Sequence, residues 1–83
     1  MPRIPWTPEQ RQAEIDGLAS TLGTTERSLL TANRIAADLS ATVEHREQAR
    51  ISAGWYGEQV VEYTRLLDGL RSGKDPGDLG YPR

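Results

Sequence analysis

The chain has 83 residues, a formal net charge of −2, a sequence pI of about 5.3 and no cysteine. That length holds one small domain. The acidic balance excludes broad, sequence-independent attraction to nucleic acid or anionic membranes, and the lack of cysteine excludes disulfides, thiolate metal sites and a thiol nucleophile.

Leu, Ile and Val supply 16 of the 83 residues, about 19%, just under the ~20% level at which a single-chain core becomes thin. A subunit that finishes its core against a partner is therefore expected in preference to a self-sufficient monomer. The start of the chain has no basic-then-apolar leader pattern and no apolar run approaches bilayer length. The expected address is cytoplasmic, with a virion or exported location left open.

Residues 1–7 are expected to form an extended N-terminal arm, because Pro2 and Pro5, with Pro8 close behind, oppose helix. Ile4 and Trp6 are apolar enough to lie against the body. Thr7-Pro8-Glu9-Gln10 is a helix start: Thr7 caps, Pro8 suits the first helical position, and Gln10 can reach back to the cap. Residues 8–73 are the helical domain. Its apolar positions recur in steps of three and four: Ile15, Leu18, Leu22, Leu29, Ala32, Ala36, Leu39 and Val43, then Ala49, Ala53, Tyr56, Val60, Tyr63, Leu67 and Leu70.

A first helix is predicted over 8–22, with a break at Gly23-Thr24, since glycine closes helices and Thr24 could cap the next one. The grid passes this point in phase (Leu22, Thr25, Leu29), so an unbroken rod is the competing reading. A long second helix is predicted over 25–52, a kink where Gly54 and Gly57 flank Trp55-Tyr56, and a third helix over 58–71. Ser72-Gly73 ends it, and residues 74–83 read as an irregular tail. The fold class is all-α: a two- or three-helix antiparallel hairpin or bundle with a long central helix and irregular Pro/Gly-rich tails.

Leu18-Ala19-Ser20-Thr21-Leu22-Gly23, followed by Leu29 and Ala32, resembles a helix-turn-helix DNA reader. The resemblance implies that Gly23 makes the turn and that the helix after it presents Thr25, Arg27, Leu30, Thr31 and Arg34 to the major groove. Glu26 and Asp38 offset Arg27 and Arg34. Trp55-Tyr56-Gly57 resembles the tripeptide of the small secreted helical-hairpin proteins named for a Trp-x-Gly signature, where it sits at the turn between two helices. That family's tail pattern is absent here, since Leu67 stands four residues after Tyr63 where an acid would be.

His45 is the only histidine, with Glu44, Glu47, Glu58 and Glu62 on the same stretch; Arg46 and Arg50 interrupt them, and the spacing is that of a solvated helix face. No nucleophile–base pairing or phosphate-loop pattern accompanies His45, so no catalytic residue, metal, cofactor or small-molecule substrate is expected. Arg46 and Arg50, where the grid calls for apolar residues, are expected to reach solvent on their aliphatic stems.

The functional expectation is a non-enzymatic protein acting through helix-mediated association with itself, as a homo-oligomer, or with a protein partner. Its interface would comprise Leu29, Ala36, Leu39, Val43, Trp55, Tyr56, Val60, Tyr63 and Leu67. The alternative is a DNA-binding regulator using Thr25, Arg27, Thr31 and Arg34.

Overall fold

Thr7 opens the first helix as its side-chain chemistry requires. Its hydroxyl accepts from the Gln10 amide at 3.1 Å, and the Gln10 side chain accepts from the Thr7 amide at 2.8 Å, a reciprocal capping box with Pro8 at the first helical position. In the computed structural model, which describes residues 5–82, this helix, α1, runs unbroken over Pro8–Ala36. The second, α2, spans Val43–Arg71, and a short 3-10 helix, η1, spans Pro76–Leu79. The expected positions of Pro2 and Ile4 lie outside the described residues.

The break predicted at Gly23 does not occur. Glycine inside a helix costs about 1 kcal/mol relative to alanine, but the apolar stripe runs through Gly23 without losing phase, and pairing along it outweighs that cost. Thr24 does not cap anything. Its hydroxyl donates to the Ser20 carbonyl at 3.2 Å and that of Thr25 to Thr21 at 2.8 Å, the way hydroxyl side chains satisfy themselves in mid-helix.

The turn falls instead at residues 37–42. The Ser40 amide and hydroxyl both donate to the Asp38 carboxylate, at 2.9 and 2.7 Å, and Thr42 caps α2 by accepting from the His45 amide at 3.0 Å. The central helix predicted over 25–52 is thus divided between α1 and α2. No kink separates a third helix at Gly54 and Gly57, because both lie inside α2.

The two long helices pack against each other as a hairpin. Its base, where both chain ends lie, holds the apolar core: Ile15, Leu18, Leu67, Leu70 and Leu79 are buried, and Trp6, Ala19, Leu22, Tyr63, Leu66 and Tyr81 pack around them. Toward the tip the buried positions become small, with Thr25 and Ala32 on α1 and Ala49 on α2. Small side chains let helices approach but contribute little buried area.

The tail is ordered rather than irregular. After Ser72, Gly73 adopts a left-handed φ of 86°, and its amide donates to the Leu70 carbonyl while that of Lys74 donates to Gly69, the paired bonds of a Schellman ending. Asp75 caps η1 by accepting from the Gly77 amide at 3.0 Å, and the turn delivers Leu79 into the base core. Arg11 ties the junction by donating to the carbonyls of Leu70 and Lys74 at 3.1 and 2.9 Å. Arg65 holds the Leu79 carbonyl at 3.1 Å. Tyr81 stacks edge-on against Trp6, centroids 5.0 Å apart, and donates its hydroxyl to Glu14 at 2.9 Å.

Candidate protein-association surface

Two helices side by side make a single layer, here 57 × 21 × 15 Å with a radius of gyration of 17.0 Å, against about 12 Å for a compact chain of this length. Each helix buries one stripe and leaves the rest exposed. The chain presents 6012 Å² to solvent, whereas a compact monomer of its 9.2 kDa mass would present roughly 4,900 Å².

The hairpin has two unlike sides. On one, toward the tip, lies a groove of about 490 Å³, lined by Thr24, Arg27, Ser28, Thr31, Ala32 and Ile35 from α1 and by His45, Gln48, Ala49, Ser52 and Tyr56 from α2. The side chains of Ser28, His45, Gln48, Ser52 and Tyr56 make no hydrogen bond with another described residue; the His45 amide is used by the Thr42 cap. Residues seven apart share a helix face, so Glu14, Thr21, Ser28 and Ile35 form one row and His45, Ser52, Gln59 and Leu66 another. At the base, Glu14 receives the Tyr81 hydroxyl and Leu66 packs on the cluster that contains Leu79. The tail therefore occupies the groove side at one end and leaves the other end of that side empty.

The opposite side carries Leu30 from α1, in one row with Asp16 and Gly23, and from α2 Val61 and also Gly57, in one row with Arg50 and Thr64. Leu29, which shares the row of Ile15 and Leu22, and Ala53 and Val60, which share that of Leu67, lie at the seam between the helices. Leu29, Ala53, Gly57 and Val60 are half-buried, while Leu30 is 51% and Val61 70% exposed at the edges. Beyond the groove lip, on the outer surface of α2, Ile51 and Trp55 are also exposed, and Trp55 leans on Tyr56 with ring centroids 5.3 Å apart.

The structure redistributes the interface residues expected from the sequence. Leu67 is buried in the base core, and Tyr63 packs against it; Tyr56 and Val60 are half-buried beside the contact with α1. The face expected over 56–70 for a partner is thus largely used within the chain. Leu39 is 86% exposed in the connection and Val43, at 74%, begins α2, so neither continues a helical seam from Leu29 and Ala36. Trp55 alone of the aromatic set projects outward, at 57%. Ile51 and Val61 fall off the three-four grid, so periodicity alone does not mark their exposed apolar side chains.

Of the residues proposed for DNA reading, Thr25 is buried, while Arg27, Thr31 and Arg34 are exposed on a straight helix. The turn that the helix-turn-helix resemblance requires at Gly23 is not formed. Trp55-Tyr56-Gly57 lies in the middle of α2, not at the hairpin turn.

Arg50 reaches solvent and pairs with Glu47, as Arg65 pairs with Glu62. Arg46 departs from the solvent reading: it is half-buried, and its Nε is enclosed without a hydrogen-bond partner. Hydrogen bonds from the Ser40 side chain and amide hold the Asp38 carboxyl below its ordinary pKa, and the Arg65 hydrogen bond lowers that of Glu62. Burial, reinforced by the bond to Glu14, pushes the Tyr81 phenol up to about 12.

Among the described residues no three His, Cys, Asp or Glu side chains converge on a point where a metal ion could sit, and no helix is long and apolar enough to cross a membrane. No protein-family model, curated protein or solved structure matches the chain.

Proposed function

We propose that this chain is a helix-mediated protein-association module, working through the tip half of its hairpin rather than through bond chemistry. The observation that carries this reading is the contrast between the two halves. The base is closed by its own leucines and tail, whereas the tip buries only Thr25, Ala32 and Ala49 and leaves Leu30, Leu39, Val43, Ile51 and Trp55 in water. Exposed apolar side chains that the chain itself leaves uncovered are what association surfaces present, with tryptophan a frequent anchor. The DNA-reading alternative has less support, because α1 is continuous through Gly23 and Thr25 points inward.

Site-specific photocrosslinking in the cells that make the protein tests the reading. A photoreactive side chain at Leu30 or Ile51 is expected to give a discrete protein adduct, and one at Asp16, on the base half, is not. Equal labelling at all three positions, or none at Leu30 and Ile51, would overturn it.

A further inference from the structure

We propose that the outer face of α2, in the tip half, docks a basic amphipathic helix of the protein partner. This rests on the association reading above and names the chemistry of its occupant. Residues seven apart share a helix face, so Glu44, Ile51 and Glu58 form one row of α2, and Gln48, Trp55 and Glu62 the row beside it. Both rows point away from α1. All six residues are exposed, Ile51 at 68% and Trp55 at 57%.

The same two rows continue toward the base to Arg65 and Gly69, and there the chain covers them itself. Leu79 lies against Gly69, and Arg65 donates to the Leu79 carbonyl. The tail thus closes this face at one end with an apolar side chain. The tip end, where Ile51 and Trp55 stand one turn apart, has no such cover.

The charges around this apolar pair select its occupant. Glu44 and Glu58 stand seven residues before and after Ile51, about 10 Å along the axis on either side. Neither makes an ion pair with another described residue, whereas Glu47 and Glu62 are paired with Arg50 and Arg65. An apolar pair bracketed by uncompensated carboxylates complements a segment that carries apolar residues between cations, and it repels an acidic one. In a helix laid along α2 those cations fall seven residues to either side of the apolar anchor, because both helices rise at the same rate. Trp55 suits the anchoring role, since an exposed indole offers a large apolar area to a partner.

The test is titration of the isotope-labelled full chain with two synthetic helical peptides, followed by amide chemical shifts. Each peptide has three heptads on an alanine–glutamine background, with leucine at the first and fourth positions of the middle heptad. The outer heptads carry lysine at those positions in one peptide and glutamate in the other. The lysine peptide is expected to shift amides within residues 44–62 saturably, and the glutamate peptide to leave them unchanged. Trp55→Ala should weaken binding about tenfold, as loss of an anchor does. The double variant Glu44→Gln/Glu58→Gln should weaken it about fivefold. Leu30→Ala, away from this face, should bind like the parent. The substituted residues are all exposed, so circular dichroism should show unchanged helix content.

Equal binding of the two peptides, parent-like binding by the double variant, or no shifts at all would overturn the proposal. So would an Ile51 photoadduct to a second copy of this chain, or to a partner segment without bracketing cations. A discrete protein adduct at Leu30 or Ile51 leaves the association reading standing in each of those cases. Absence of adducts at both positions overturns both.

Discussion

Leu79 occupies the space that a side chain on Gly69 would need. A Cβ built on Gly69 would sit 2.9 Å from one methyl of Leu79 and 3.2 Å from its Cγ, closer than carbon atoms approach without displacement. The glycine is what lets η1 lie on α2 and seal the base core, so the hairpin is locked by the absence of a methyl group.

Gly69→Ala should therefore run against the usual direction. In an open helix the change stabilises by about 0.5–1 kcal/mol. Here it should destabilise by about 1–3 kcal/mol, because Leu79 must move or the tail must lift. Gly54→Ala, at a position with nothing within 4 Å, is the matched control and should show the ordinary gain. Urea unfolding of both variants reads the difference; a stabilised Gly69→Ala protein would mean that the tail does not pack as described.

Alkaline unfolding should report Tyr81. Its phenol is raised from an ordinary value near 10 to about 12 by burial and the Glu14 hydrogen bond. The folded state thus favours the neutral form. The associated stability is fully present below pH 10 and is lost as pH climbs through about 12. Tyr81→Phe should be less stable at neutral pH by about 0.5–1.5 kcal/mol, the contribution of one hydrogen bond. Its stability should also fall less steeply than that of the parent between pH 10 and 12. Thermal melts at stepped pH decide this, and parallel profiles for the two proteins would refute it.

Two threonines separate the observed turn from the one that glycine suggests. Thr42→Ala should cost about 1 kcal/mol, because it removes the hydroxyl that receives the His45 amide at the start of α2. Thr24→Ala should change stability by less than about 0.5 kcal/mol, since that hydroxyl is exposed and only bonds back to its own helix. Chemical denaturation of the pair gives the order of the two effects, and the reverse order would place the helix boundary at Gly23.

Much of the architecture is legible in the residues. The all-helical class, the start at Thr7-Pro8 and the end of the last helix at Arg71 follow from spacing and capping chemistry, which act over a few neighbouring residues. The turn was harder to read. Ala37 to Thr42 contains neither glycine nor proline, and its signals, an Asp38 carboxylate that catches Ser40 and a Thr42 cap, are common surface features. Gly23, Gly54 and Gly57 carried the stronger local signal for a break, yet each is overruled by pairing along an uninterrupted stripe.

The proposed association surface is legible in the sequence only in part. A thin aliphatic content implies incomplete burial, and Trp55 stands out as a large exposed side chain. Periodicity alone places the seam outward, whereas most of its C-terminal half faces α1. A three-four repeat states that a helix has an apolar face without stating whether the cover comes from the same chain. Leu39 and Val43 fell on the grid by coincidence, because the turn changes helical phase between them and Leu29.

Local chemistry alone thus settles that this chain is helical, where it begins to coil, and that its leucines are few. Two matters needed the folded molecule. One is the place where the rod doubles back, since the gain from aligning two 29-residue helices is a sum over many distant contacts. The other is which half closes: Leu79 reaches the base core only because Gly69 makes room across the tail, a meeting that neighbouring residues do not encode.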